Sequence, residues 1–445
     1  MQRVYNLMAD MIRCILDEEK EGNQNVEVFS VSSSTLLDLF YKDVKENVPS
    51  LFDDGHIIRL SGGFQVDNVI SEAIELYKKC KSKRVIGEMI YLLKCLDESL
   101  MQEFKFMRKK IFDSLNSNHE ETNIILLPYM RCDWQRSSRG HQHGYTLFHY
   151  LKNVYYVQKE RMNHLELKNV ILPLDIFHRM NEKHCITIGC CPITEKVTVK
   201  NVESFEEEGF KYFEVKDLCN KDMIKENVLK LLEKARENEV DILVFPEMLG
   251  TKEVNDSVLN LLKENISYFE YSPLIILPSL WEKGHNNADI IIDEGDLTIT
   301  QSKQNPVTLF SYGREYIKPD GILYVIHIPR IGRICVAICA DFLNNEYLDI
   351  LLKELKVSLL IVPSFSTGVY DFDNTVESCK KYDCSVIWLN SCSAIHLTEK
   401  DKFDMVSIIL KSGRNSGVKE VFPQNCNHMC DTCMFITTID TNITV

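Results

Sequence analysis

The chain has 445 residues and a formal net charge of −14 at neutral pH, which argues against a general nucleic-acid binder. Its 45% hydrophobic and 26% charged content is that of an ordinary globular protein, and no apolar run approaches the length of a membrane span. The length favours two domains over one.

The N-terminus, MQRVYNLMADMIRCILDEEK, carries acidic residues within an amphipathic pattern and has no cleavage site, so it does not read as a signal peptide. Sixteen cysteines without such a signal point to a reducing, cytoplasmic setting and mostly buried thiols. Helical spacing dominates the first 120 residues. One stripe holds Leu7, Met11 and Ile15; a second holds Val66, Val69, Ile70, Ala73 and Tyr77. A third begins at Ile86, Met89, Ile90, Leu93, Leu96 and Leu100 and extends through Phe104, Met107 and Ile111 to Leu115. Residues 61–63 break the pattern, and residues 122–128 (TNIILLP) read as a strand.

Residues 131–149 concentrate Arg131, Arg136, Arg139, His141, His143 and His149 with Trp134, Tyr145 and Phe148. Such a patch can contact phosphate, but in an acidic chain it reads rather as a polar surface loop before a helix near residues 147–157. The His141/His143 pair has no third ligand nearby to hold a metal. Residues 150–182 read as charged and helical in part.

From Cys185 onward, strands and helices alternate. Residues 185–192 (CITIGCCP) suit a first core strand, and Ile224, Val228, Leu231 and Ala235 form a helix stripe running into the apolar strand 241–247 (DILVFPE). Residues 297–300 and 331–338 are further strands; 342–356 and 375–382 read as helices, 385–390 as a strand, and 433–439 as a closing strand. The expectation is a mainly helical domain over residues 1–182 and an α/β domain over residues 183–445.

Three chemical groups stand at strand ends in this second part. Glu247 closes DILVFPE, Lys303 follows the strand 297–300, and Cys339 follows the β-branched run within GRICVAICAD, residues 332–341. A reactive group at the C-terminal mouth of a buried strand sits where α/β folds place their chemistry. A lone cysteine here reads as a core residue, as Cys335 does; with a carboxylate and an ammonium in company it reads as a nucleophile.

The order FPE, then Lys303 in a K-x-x-P setting, then G-x-I-C-x-x-I-C-x-D resembles the nitrilase, or carbon–nitrogen hydrolase, superfamily. Supporting marks are LIILPSLW at 274–281, Asn287–Ala288 followed by Ile290 and Gly295, and the strand 359–363 with Ser364. The likeness runs from about Cys185 to the C-terminus and leaves the N-terminal part unrecognised. It implies a four-layer α-β-β-α sandwich and a Cys-Glu-Lys triad acting on an amide or nitrile through a thioester. Cys339 would be nucleophile, Glu247 the base, and Lys303 an oxyanion donor together with the backbone N–H after Cys339. It also implies a homodimer at least, through helices following Cys339 and residues 359–363, where Tyr347, Leu348, Leu351 and Leu352 offer apolar surface. No cofactor is called for, and a small amide or nitrile is the expected partner, with no membrane or nucleic acid.

Glu315 resembles the auxiliary glutamate of the family, though it also reads as a solvated carboxylate. Asp341 reads as holding the turn after the nucleophile. Two positions depart from the family: Ala340 stands where a bulky aromatic is usual, implying a different pocket shape, and Gln301 replaces an aromatic before the lysine. Cys426, Cys430 and Cys433 have a spacing that suits zinc or an iron–sulfur cluster, yet read as well as a loop of reduced cysteines. The alternative to an enzyme is a catalytically idle nitrilase-like binding or sensor module. A second alternative makes the chain a component of a larger assembly of the antiviral-defence type, with the hydrolase as effector or sensor and a protein partner held through the N-terminal domain.

Overall fold

The structure, a computed structural model, describes residues 1–20, 34–60, 64–100, 108–135, 147–173, 176, 184–194, 196–264, 268–269, 273–309, 313–397, 404–413, 417–422 and 432–441. The chain divides into two compact units. The first comprises residues 1–130 and 136–171, the second residues 131–135 and 172–445. The sequence reading drew its line at 182/183. The second unit takes in Leu172, whose N–H donates to the His327 carbonyl, and the segment around Asp133, whose N–H donates to the Arg330 carbonyl.

In unit 1, α1 (Gln2–Lys20), α2 (Ser34–Asn47), α3 (Phe64–Lys83) and α4 (Ile86–Ser99) turn their apolar stripes into one core. Val4, Met8, Ile12, Val69, Met89 and Leu93 are fully buried there. β1 (Ile124–Pro128) pairs antiparallel with β2 (Val154–Gln158). Asp97, sealed at the end of α4, accepts the N–H groups of Lys152, Asn153 and Val154, and burial pushes its carboxyl up to about 6.

Two helix expectations fail in this unit. Residues 147–157 form a 3-10 turn (Leu147–His149) and then β2, because Val154, Tyr155, Tyr156 and Val157 are β-branched or aromatic and all buried. The third stripe stops with α4 at Ser99, and Ile111 lies in a short strand paired with Glu166–Ile171. Phe104 and Met107, like residues 61–63, lie outside the described residues.

Unit 2 has the expected α-β-β-α layering. Its strands are β3 (Cys185–Cys190), β4 (Val199–Glu207), β5 (Phe210–Leu218), β6 (Ile242–Val244), β7 (Leu274–Ile276), β8 (His285–Ile292), β9 (Leu297–Ser302), β10 (Gly313–Glu315), β11 (Ile322–Ile328), β12 (Gly332–Val336), β13 (Leu359–Ser364), β14 (Ser385–Asn390), β15 (Ser407–Lys411), β16 (Val418–Phe422) and β17 (Phe435–Asp440). One sheet runs β8-β7-β6-β3-β17, with β9 and the short strand Leu280–Glu282 also paired to β8; the strands of the other that lie in this unit run β16-β15-β14-β13-β12-β11. β6 is parallel to β3 and β7, and β13 is parallel to β12 and β14.

Helices α5 (Lys221–Glu237) and α6 (Lys252–Glu264) bury Ile224, Val228, Leu231 and Val258 with Leu243 and Ile275 of the first sheet. Beyond the second sheet come α7 (Ala340–Leu343), α8 (Asn345–Asp349) and α9 (Tyr370–Cys379), whose Phe372 ring lies 5.2 Å from that of Trp388 in β14. The two sheets are joined by Gln301 of β9: its Nε2 donates to the Ile322 carbonyl at 3.0 Å and its Oε1 accepts the Tyr324 N–H at 3.0 Å. Gln301 stands where the resemblance leads one to expect an aromatic.

The helix expected over 342–356 is broken. Asn344 interrupts it and caps α8, its side chain accepting the Tyr347 N–H at 2.9 Å, and the chain then passes into a wider turn at Ile350–Glu354. Tyr347, Leu348, Leu351 and Leu352 are buried within the chain, so they do not offer the apolar surface expected of them.

Candidate active site

Each of the three strand-end groups arrives by a local device. Beyond β6, Pro246 ends the ladder and Glu247 turns inward; its N–H donates to the Ser364 carbonyl at the end of β13. The Glu247 carboxylate is fully buried. Its Oε1 accepts from Asn286 Nδ2 at 2.8 Å and Lys303 Nζ at 2.8 Å, and its Oε2 accepts the Phe365 N–H at 2.9 Å.

Lys303 follows β9 directly, and its N–H donates to the Asn286 carbonyl at 2.8 Å. Its ammonium is fully buried and pairs with two carboxylates, with Glu315 Oε2 at 2.7 Å. Burial alone would push this ammonium down, but the charges of Glu247 and Glu315 outweigh it and hold Lys303 well above its ordinary value.

Glu315 is therefore a buried member of the cluster rather than a surface carboxylate. It stands at the end of β10, which pairs with β5 of the long β4–β5 hairpin, an element the sequence reading did not describe. Gly313 makes this pairing possible: its φ is +100°, and a Cβ there would lie 2.3 Å from the Lys211 carbonyl oxygen. Burial pushes the Glu315 carboxyl up, against the pull of Lys303.

Cys339 lies three residues past β12. Its N–H donates to the Pro363 carbonyl at 2.9 Å, and its backbone is held at φ 50°, ψ −104°, immediately before α7. Such geometry costs a non-glycine residue about 1–3 kcal/mol, so the surroundings must enforce it. The buried thiol lies within the electrostatic reach of Glu247, Lys303 and Glu315. Burial first, and then the charge of Glu247, push the thiol well above its ordinary value, with Lys303 opposing. Burial thus favours the neutral thiol at rest. Cys335, pushed up to about 12 by burial, is sealed within β12 and remains a core residue.

The structure thus brings Glu247, Lys303, Glu315 and Cys339 together. Two supporting residues were not legible beforehand. Asn286 holds Glu247 through its side chain and Lys303 through its carbonyl, and is itself held by Ser279 Oγ, which donates to Asn286 Oδ1 at 2.6 Å. Ser279 Oγ also accepts the Met248 N–H. A buried asparagine beside Asn287–Ala288 was the available signal. The reach of Asp341 was also missed: beyond its own turn, it accepts from the residues following Lys303.

Trp134 is buried, with Nε1 donating to the Ser358 carbonyl at 3.2 Å, and so is no member of an exposed patch. Phe148 stacks on Tyr156 at 4.3 Å. Arg136, Arg139, His141, His143 and Tyr145, and the side chain of His149, lie outside the described residues, as do Cys426 and Cys430. Cys433 is partly buried, and among the described residues no group of three or more potential ligands could hold a metal ion.

No family model matches the chain, and no curated protein matches it. Solved structures do. Saccharomyces cerevisiae Nit3, a member of branch 10 of the nitrilase superfamily, aligns with a TM-score of 0.39 and 12% identity over 58% of this chain and 90% of its own. An amidase from Nesterenkonia sp. aligns with a TM-score of 0.39 and 9% identity, over 57% and 89%. A mutant of the Nesterenkonia amidase, which carries the acetamide moiety of fluoroacetamide on its active-site cysteine, aligns with a TM-score of 0.39 and 9% identity, over 57% and 90%. These structural neighbours are nitrilase-superfamily proteins, and they align over a little more than half of this chain.

Proposed function

We propose that unit 2 hydrolyses a non-peptide carbon–nitrogen bond, that of a small amide or nitrile, through Cys339, Glu247 and Lys303. The observation that carries this reading is the joining of the three groups in one buried cluster from the ends of separate strands.

For an amide, Glu247 takes the thiol proton as Cys339 Sγ bonds to the carbonyl carbon. Negative charge then develops on the carbonyl oxygen. Lys303 Nζ is the first donor to it, and the Ala340 N–H is the second, since the first N–H groups of a helix have no partner within the helix. The C–N bond breaks as Glu247 returns the proton to the departing nitrogen, leaving a thioester on Cys339. Glu247 next removes a proton from water, whose oxygen bonds to the acyl carbon. The C–S bond breaks, Glu247 returns the proton to sulfur, and a carboxylic acid leaves. Glu315 keeps Lys303 charged and oriented throughout.

The test is a panel of amides and nitriles read by ammonia release, with Cys339→Ala as control. Ammonia released by the wild type and not by the variant supports the reading. Equal release by both, or turnover of no member of the panel by a folded chain whose Cys339 resists every amide electrophile, sinks it.

A further inference from the structure

Asp341 is fully buried, two residues past Cys339. Its Oδ1 accepts the Gln304 N–H at 2.9 Å, the Asn305 N–H at 2.6 Å and Asn305 Nδ2 at 3.0 Å. Its Oδ2 accepts the Ile338 N–H at 3.1 Å. Gln304 and Asn305 immediately follow Lys303, and Ile338 immediately precedes Cys339. One carboxylate therefore holds both segments, with an oxygen for each.

A residue that merely closed the turn after a strand would need only the bond to Ile338. The three bonds on Oδ1 reach a segment 36 and 37 residues away in the chain and have no part in that turn. They engage the loop that carries the ammonium. Gln304 is anchored from its other end as well, with Nε2 donating to Asp320 Oδ1 at 2.8 Å and Oε1 accepting the Gly321 N–H at 3.0 Å. Gln304 is thus held from both sides, and Asp341 is where the Cys339 turn is fastened to this loop. Four donors on one desolvated carboxylate make the fastening strong and directional.

We propose that Asp341 is a positioning residue that sets the distance between the Lys303 ammonium and the Cys339 turn, so that both oxyanion donors address one point. The inference rests on the hydrolase reading above. It predicts that the carboxylate matters for reactions that place a carbonyl in the site and not for reactions of the thiol alone.

The experiment uses the full-length chain and two probes of Cys339, chloroacetamide and methyl methanethiosulfonate, with labelling located by mass spectrometry. Asp341→Asn keeps the size and one acceptor oxygen but turns an N–H₂ group toward one of the segments. Chloroacetamide labelling should fall about tenfold to a hundredfold, the range for small misplacement of reacting groups, while thiosulfonate labelling stays within about threefold. Asn305→Ala, which removes a single bond of the four, should lower the chloroacetamide rate severalfold and serves as the readout if Asp341→Asn does not fold. Equal rates with both probes in variant and wild type, or an equal fall with both probes, overturns the inference and leaves the hydrolase reading standing. A folded wild type whose Cys339 takes the thiosulfonate but ignores chloroacetamide overturns the hydrolase reading and this inference with it.

Discussion

Lys303 Nζ lies 2.8 Å from Glu247 Oε1, and neither side chain reaches solvent. A buried pair of this kind is costly to desolvate and costlier to break, because removing one partner leaves an uncompensated charge worth about 3–5 kcal/mol. Here one ammonium serves two carboxylates, Glu247 and Glu315. The cluster is tied together by charge as well as by packing, which is why conservative changes within it should be felt.

Cys339→Ala should leave the fold intact and abolish turnover. It removes one atom from a strand-end turn, so unfolding should shift by no more than about 1 kcal/mol, in the range of changes that break no buried network. Thermal unfolding and ammonia release measure the two effects. Retained turnover on a confirmed substrate would refute the assignment of the nucleophile.

Lys303→Arg should lose about 10²–10³ in rate, the usual cost of one oxyanion donor. A planar guanidinium is wider than an ammonium and cannot sit 2.8 Å from Glu247 and 2.7 Å from Glu315 without moving one of them. Cys339 should still react with methyl methanethiosulfonate. Kinetics close to those of the wild type would remove lysine from the mechanism.

Asn286→Ala should slow turnover by about tenfold to a hundredfold with little change in KM, because it frees the Glu247 carboxylate to move while leaving the charges in place. A change confined to KM would show that Asn286 serves binding instead.

Asp341 makes a prediction about stability against pH. Burial pushes its carboxyl from 3.8 up to about 7. Between those values the folded state holds a proton that the unfolded state has lost, so stability falls as pH rises through this window. Among the described residues, Lys303 and Tyr347 interact with it electrostatically, and both are held well above their ordinary values. In urea unfolding, the difference between wild type and Asp341→Asn should move in favour of the variant from about pH 4 to about pH 7, by on the order of 2–4 kcal/mol. A difference independent of pH would show that the carboxyl is not displaced.

Gly313→Ala should impair the site from a distance. The added Cβ would collide with the Lys211 backbone and meet a φ of +100° that side chains disfavour. β10 would then be pushed from β5, and Glu315 would leave Lys303. Activity should fall more than Glu315→Gln alone lowers it, with unfolding destabilised by about 1–3 kcal/mol. Unchanged activity would mean that the hairpin does not hold Glu315 in place.

Glu247, Lys303 and Cys339 were legible as candidates because each closes a short apolar run, and such runs can be recognised from a window of a few residues. The helical stripes of α1, α3 and α5 were legible for the same reason, their period being local. The burial of Glu315 was not legible. It depends on a parallel pairing between β10 and β5 that brings distant parts of the chain together. Nor were the bonds of Asn286 to Glu247, or of Phe365 to Glu247 across 118 residues. What the sequence by itself determined was which residues end strands and are candidates for chemistry. Only the tertiary structure decided which of them share a buried volume, because that depends on strand order and register, and these are settled by packing across the whole unit rather than by any local pattern.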